Sequence, residues 1–496
     1  MKKVKNGLSY EQNGWLYVSV KGEPKERGYA YGYLIAEEMK KVQEMLQFIV
    51  YEDYGRPWEF FVESGERLLK EKIKTDFSEF YEEMCGVAEG CTAGGTKTNI
   101  DEILAWNNYF LLTESWYSNR SEDGVKRNAR PGGEGGGIQD RCSAFMATGD
   151  WTQDGKIVVA HNNFSNFIDG QYARIVLDLN PTKGARMLIQ GFPGWIWSGT
   201  DFFVTSNGII GTETTIGGFL PFENNWPISC RIRKAMQYGK TLDDYVNILL
   251  EGNSGDYANS WLFGDINTNE ILRLELGLEY HNVERKKNGY FIGFNAPYDP
   301  RIRNLECANT GYDDIRRHQG ARRVRLTDLM NEHKGKLNLA LAEIILSDHY
   351  DVYLHKENPC SRTVCSHYEL DAREYMSDPS RPKPFQPRGA LDGNICDATM
   401  AKQMSFRLRF GDSCGIPFWK DKFCDEHREW DYLRKYLHDR PQQPWTNFSI
   451  TTHDKSNNRI NVRLRPINAK SMKMKKNVQK QKIIFHNKKN NKTKRI

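Results

Sequence analysis

Two hydrophobic rhythms divide the chain. Ile35, Met39, Val42, Leu46 and Ile49 recur every three or four residues, the spacing of one buried stripe on a helix. A turn, Gly22-Glu23-Pro24-Lys25-Glu26-Arg27-Gly28, leads into that helix, and Trp15–Val20 before it reads as a strand. Further helices are expected around Pro57–Lys74 and Asp76–Glu89. Gly94-Gly95 breaks the pattern and Asp101–Leu112 resumes it, with Asp101 suited to an N-cap. Residues 1–117 are thus predicted to be a mainly helical segment. After Cys142 the rhythm changes to short apolar runs punctuated by Gly, Pro and Asn. Ala173–Leu179, Ala185–Gln190, Phe202–Thr205, Gly208–Thr212, Trp261–Phe263, Glu270–Leu276 and Gly289–Phe294 read as strands, with helices at Leu242–Leu250 and over Gly320–Leu346. Beyond Asp348 the chain is loop-rich and aromatic as far as Trp445. Strands with helices before, between and after them predict an α/β sandwich rather than a βαβ repeat.

Residues 118–141 join the two regimes. They hold Gly, Pro, Arg, Glu and Asp and almost nothing apolar, the composition of an exposed linker. A loop longer than about 15 residues inside a compact protein is usually functional or disordered. This one ends at Arg141-Cys142. An apolar strand-like run follows, then a turn at Asp154-Gly155, a second run Ile157–Ala160 and the polar pair His161-Asn162. Linker, cysteine, hairpin and polar cluster is the layout expected if Cys142 becomes the first residue of a mature chain. Three readings of Cys142 stay open at this point: a buried core thiol, a thiol nucleophile served by a separate histidine, and a nucleophile freed by cleavage that uses its own new amine. The last has a physical basis, because an α-amine titrates at about 7.7–8.0, close enough to a thiol at about 8.5 to shuttle its proton.

Composition narrows the classes. The chain has 496 residues, 39% of them hydrophobic, enough for a sizeable core. No window approaches the roughly 18 apolar residues of a membrane helix. The start, MKKVKNGLSYEQNGW, is basic but lacks the apolar stretch of a signal peptide, so a cytoplasmic location is expected. Ten dispersed cysteines suit a reducing compartment better than a disulfide scaffold. Residues 467–496 carry ten Lys, one Arg and no acid, the composition of a solvated disordered tail. Taking those eleven charges from the formal +6 leaves −5 on the body, which excludes a basic nucleic-acid-binding body. Neither GxGxxG nor GxxxxGK[ST] is present, so no nucleotide site is indicated, and no GxSxG elbow marks a serine hydrolase. Cys360, Cys365, His367 and Asp371 lack a standard zinc spacing, and Leu391–Asp397 lacks the closing Glu of a calcium loop. No metal and no cofactor are therefore expected. The aromatic run Phe192–Trp197 suits a core or the wall of an acyl-chain pocket.

Five motifs occur in one order: Cys142-Ser143-Ala144, His161–Phe164 (HNNF), Ser198–Phe203 (SGTDFF), Glu213–Gly217 (ETTIG) and Asn253–Trp261 (NSGDYANSW). Together they resemble the phospholipase B-like proteins and the related acyltransferase/hydrolases of the isopenicillin N acyltransferase (C45-like) type. Gly22-x-Pro24-x-x-Arg27-Gly28-x-x-x-Gly32 is similar to the opening helix of the bacterial branch. The resemblance spans roughly Trp15 to Trp445. It implies an α+β fold, a four-layer αββα sandwich of the N-terminal nucleophile hydrolase type, with residues 1–117 as an alpha chain. Residues 118–141 would be a pre-cleavage linker, 142–466 the catalytic beta chain and 467–496 the basic tail. It implies self-cleavage between Arg141 and Cys142, with the two chains remaining associated, and Cys142 as nucleophile with its amine as base. His161 would line the pocket or simply bond loop backbone. Asn259 is the expected oxyanion donor, since an uncharged amide suits a tetrahedral acyl intermediate. Asn162, Glu213 and Thr214 would support the site, and Asn253 either joins them or forms the Asn-Ser-Gly turn. The expected activity is hydrolysis of an amide or ester acyl bond on a small-molecule or lipid substrate through a Cys142 thioester. Transfer to an amine acceptor, or a catalytically silent binding protein, are the alternatives. Phe164 and Asn162 depart from the family, which commonly carries Trp and, in animal members, an acid at those places.

Overall fold

The hydrophobic residues between Trp15 and Val20 are buried on both faces, so this stretch is an interior strand from the start. In the computed structural model, residues 1–119, 142–308, 310–373 and 383–451 are described. They fall in the compact unit Met1–Ile450, apart from Thr451 at its end. The Arg141 cleavage site, nearly all of the linker and the 467–496 tail lie outside the described residues.

One sheet has ten strands: β1 (Lys2–Val4), β2 (Gly7–Gln12), β3 (Trp15–Gly22), β6 (Ile175–Pro181), β7 (Met187–Gly191), β8 (Phe202–Thr205), β9 (Ile209–Thr215), β10 (Asn259–Asp265), β11 (Glu270–Leu276) and β12 (His281–Lys286), adjacent in that order. The other is built on β13 (Gly289–Gly293), β4 (Cys142–Thr148), β5 (Val158–Asn166), β17 (Asp392–Asp397), β18 (Ser405–Phe410) and β19 (Thr446–Ser449), with β16 (Arg388–Ala390) also on β5. A two-stranded ribbon, β14 (Tyr350–Asp351) and β15 (Lys356–Glu357), stands apart. All neighbours are antiparallel except β3 and β6, where Leu16–Gly22 runs parallel to Ile175–Pro181. The segment before the linker is thus not helix alone: three of its strands continue the large sheet.

The sheets meet where side chains are small. A Cβ on Gly264 of β10 would lie 3.1 Å from the Met146 Sδ, and one on Gly293 of β13 would lie 2.3 Å from the Thr214 Cγ2. Alternation along β4 then sends Phe145 and Ala147 the other way, into a core with Leu326, Leu329, Met330, Ile345 and Leu346 of helices His318–Glu332 and Leu339–Leu346. The large sheet has its own helical cover, in which Val18, Val20, Ile175 and Leu177 share a core with Ile35, Met39, Val42 and Leu46.

The long helix Pro24–Tyr54 lies against helix Ser78–Ala93 at backbone contact. Added methyls at Gly28 and Gly32 would sit 2.0 Å from the Glu83 carbonyl oxygen and 2.1 Å from that of Val87; at Gly86 and Gly90 they would meet Lys25 and Tyr29 at 2.3 and 2.1 Å. Such spacing is open only to glycine. The contact buries Arg27, whose Nε donates to the Glu83 Oε2 at 2.7 Å, while the Arg233 Nη2 reaches the same oxygen at 2.8 Å. Arg27 and the glycines of the opening motif thus dock one helix on another.

Candidate active site

Cys142 opens β4 with 1% of its surface exposed. Its backbone nitrogen donates to the Asn295 Oδ1 at 3.2 Å, and its carbonyl accepts from the Arg322 guanidinium. Arg322 also donates to the Asn295 Oδ1 at 2.8 Å, and the Asn295 amide donates to the Thr215 carbonyl at 2.7 Å. Asn295 sits at φ 67°, a left-handed conformation that asparagine tolerates better than most residues. One buried asparagine and one buried arginine therefore fix the backbone of Cys142.

The thiol faces acids. Its Sγ lies 3.7 Å from the Glu213 Oε1. The Tyr257 hydroxyl is 3.2 Å from that same oxygen and 3.1 Å from the Asp201 Oδ2, so it stands between two carboxylates. Burial, then Glu213, Asp201 and Asp392, push the Cys142 thiol well above its ordinary range, with only the Thr215 backbone opposing. Among these carboxylates the sulfur of Cys142 is held in its protonated thiol form.

Asp392 is fully buried and accepts from the Asn163 backbone N–H at 2.9 Å, the Gln190 amide at 3.0 Å and the Asn394 amide at 3.0 Å. Burial nonetheless raises its pKa to about 7. Its folded pKa lies above the roughly 3.9 of an unfolded Asp, so the fold binds the extra proton between those values. Stability from this group is greatest below about pH 4 and is lost as pH rises to about 7, by a few kcal/mol at most. Asp392→Asn is expected to flatten that slope. Urea unfolding at pH 5 and pH 8 measures it, and an undiminished loss of stability between the two pH values in the variant contradicts the assignment.

The sequence-derived site residues do not all converge. His161 faces the same side of β5 as Asn163, the partner of Cys142 across the strand pair. Burial drives its pKa down to about 3, against the Glu213 backbone, so it is a neutral imidazole. Its Nδ1 is 3.3 Å from the Asn394 amide. Asn259 reaches the cluster: with its amide oriented by the hydrogen-bond network, the nitrogen donates to the Ala258 carbonyl and the Glu213 Oε2, each at 2.8 Å. Glu213 is central. The Thr214 Oγ1 has no hydrogen-bond partner among the described residues.

The expected place of Asn162 is corrected, and of the two readings of Asn253 the turn is the one found. Asn162 is one residue out of phase on β5, and its amide donates to the Leu346 and Val364 carbonyls on the opposite face from Cys142. Asn253 donates to the Gly277 carbonyl at 2.6 Å and accepts from the Gly255 N–H, which makes it a turn-former. Phe164, in phase with Asn162, packs with Cys365 and Ala390, so it does not shape the Cys142 side. Asp201 and Tyr257 lie inside two of the quoted motifs and were within reach of the sequence. Asn295 and Arg322 carry no local signal.

The segment set aside as a metal site is also rearranged. Cys360 turns to Asp351 and Asp371 to Ser361, while Cys365 and His367 come together with His349 and Cys414. The linear spacing hid this grouping, because half of the set lies elsewhere in the chain.

No family model matches the chain. It is 26% identical to a phospholipase B of Crotalus adamanteus over 254 residues, 45% of this chain and 42% of that one. Over 315 residues it is 22% identical to the putative phospholipase B-like 2 of Rattus norvegicus, 54% of this chain and 53% of that one. The chain is similar in sequence to the phospholipase B-like proteins. An uncharacterised protein of Archaeoglobus fulgidus is 25% identical over 258 residues, 51% of this chain and 42% of that one. The chain therefore spans about half the length of the curated relatives it matches. A conjugated bile acid hydrolase from Clostridium perfringens overlaps at a TM-score of 0.32 and 10% identity, covering 54% of this chain and 89% of that one, an overlap too loose to bear on the site. Among the described residues no helix is long and apolar enough to cross a membrane.

Proposed function

We propose that the chain is a self-cleaving N-terminal nucleophile hydrolase of α/β/β/α layering that acts on an amide or ester carbonyl through Cys142. The observation that carries it is the setting of Cys142: first residue of a strand at the meeting of two sheets, nitrogen held by Asn295, carbonyl held by Arg322, sulfur facing Glu213. In maturation Glu213 takes the thiol proton and the Cys142 Sγ attacks the Arg141 carbonyl carbon. The Arg141–Cys142 C–N bond breaks, the leaving nitrogen gains a proton, and water hydrolyses the resulting thioester. The products are an Arg141 carboxylate and a Cys142 with a free amine and thiol.

In turnover that amine, at Asn295, takes the thiol proton. Sulfur attacks the substrate carbonyl, the protonated amine or alcohol leaves, and water releases the acid from the thioester. Asn259 supplies the oxyanion hydrogen bond in this reading, turning its amide from Glu213 towards the developing charge. His161 lines the pocket as a neutral group and Thr214 offers a hydroxyl beside it. The names of the matched relatives favour a lipid acyl ester among the possible substrates. The chain before the cut would stay bound through β1–β3.

Intact-mass analysis and N-terminal sequencing are expected to find a chain beginning at Cys142, and release of acid from an acyl amide or lysophospholipid should disappear on thiol alkylation. An unbroken chain whose hydrolysis survives alkylation refutes the proposal.

A further inference from the structure

Away from Cys142, three stretches of chain converge on one small volume. His349 follows helix Leu339–Leu346, Cys365 and His367 lie in the loop after it, and Cys414 lies beyond β18. The His349 Nε2 and His367 Nε2 are 3.2 Å apart, and the His367 Nε2 is 3.4 Å from the Cys365 Sγ and 3.5 Å from the Cys414 Sγ. All four ligand atoms lie within 4.8 Å of one another. A tetrahedral zinc ion with Zn–N near 2.05 Å and Zn–S near 2.3 Å has edges of about 3.3 Å between nitrogens and about 3.6 Å between nitrogen and sulfur. These three distances match edges of that tetrahedron.

The orientation of His367 and the donor types suit a metal ion. The His367 Nδ1 is 2.8 Å from the Glu369 Oε1, so this nitrogen carries the hydrogen and a neutral ring leaves a single lone pair on Nε2. That lone pair points at the same small volume as the His349 nitrogen and the two sulfurs, while the Ser413 hydroxyl donates to the Cys365 Sγ at 3.4 Å and the Cys414 Sγ lies 3.2 Å from the Asp412 Oδ1. A dication satisfies all four, and two thiolates cancel its charge. The carboxylate behind His367 is the usual support of a metal-bound imidazole. The donor set of two sulfurs and two imidazoles suits zinc and is too soft for calcium or magnesium.

We propose that His349, Cys365, His367 and Cys414 form a closed structural zinc site. Four protein ligands leave no open position for catalysis. The site joins stretches 18 and 47 residues apart in sequence. It also braces the carbonyls of Leu346 and Val364 that hold Asn162 under β5, so its structural effect reaches the strand paired with Cys142.

Elemental analysis of the full-length protein, grown with added zinc and dialysed without chelator, is expected to give about one zinc per chain. His349→Gln, at a half-buried ligand, and Cys414→Ser should each lose most of it, and cobalt-substituted protein should show thiolate-to-metal charge transfer. A strong chelator should lower the melting temperature of the wild type while barely moving that of either variant. Less than a tenth of an equivalent in the wild type, a Cys365–Cys414 disulfide in peptide mass analysis, or full zinc content in both variants overturns the proposal.

Discussion

Cys142→Ala is expected to leave the chain uncut and to lower acyl hydrolysis about a thousandfold or more, the scale of removing a catalytic nucleophile. Under the proposed mechanism the substitution deletes the attacking sulfur and nothing that holds the backbone. Asn295 still accepts from the residue-142 nitrogen and Arg322 still donates to its carbonyl. The fold should lose only about 1 kcal/mol, typical of a single substitution. Glu213→Gln separates the two chemical steps. In the uncut chain residue 142 has an amide nitrogen, which is no base, so the raised thiol depends on the Glu213 oxygen 3.7 Å away. The glutamine variant should cut slowly, yet any chain that does cut has its amine and should turn over. Mass spectrometry over time, with single-turnover assays on the cut fraction, reads both. Normal cutting in Cys142→Ala ends the proposal.

Glu83→Ala is expected to cost about 3–5 kcal/mol, the range for removing one partner of a buried ion pair. Glu83 is 1% exposed and sits between Arg27 and Arg233, both fully buried. Burial raises its pKa, but Arg233 and Arg27 outweigh that and hold it below the ordinary value. The contribution of a depressed carboxyl is present above its unfolded pKa of about 4.3 and is lost as pH falls through the folded one, so this contact weakens in acid. After the substitution Arg27 keeps Glu79, while among the described residues Arg233 keeps only the Ile196 carbonyl and Gln237 as hydrogen-bond acceptors. The triple variant Glu83→Leu, Arg27→Met, Arg233→Met should be less damaging than Glu83→Ala alone, because it removes all three buried charges together, and Glu79, which loses Arg27, is partly exposed and keeps Gln237 and Tyr238. Equilibrium denaturation of the two proteins decides it.

Where packing is periodic, the sequence was readable. The stripe Ile35, Met39, Val42, Leu46 and Ile49 is buried in one helix, and the Asp154-Gly155 turn does join β4 to β5. The runs that escaped are polar for identifiable reasons. β12 (His281–Lys286) is at the sheet edge and half-exposed, so no apolar alternation marks it. Helix Ile228–Tyr238 buries Arg231 and Arg233 as ion pairs, which blurs its apolar stripe. β17 resembles a calcium loop because Asp392 and Asn394 are buried polar residues behind Cys142. The same holds at the candidate site: contiguous motifs pointed to Cys142, Glu213 and Asn259, whereas Asn295 and Arg322 meet Cys142 only through the fold. Asn162 was misplaced by one step of a strand, which is enough to reverse its face.

The parallel pairing of Leu16–Gly22 with Ile175–Pro181 ties together segments from either side of residue 142. Breaking the chain there would leave the native particle unchanged in size, but not its way back from denaturation. What was assembled within one molecule would have to be reassembled from two, at a rate set by concentration. A protein matured this way would owe its persistence to slow unfolding, with no practical return once its parts had separated.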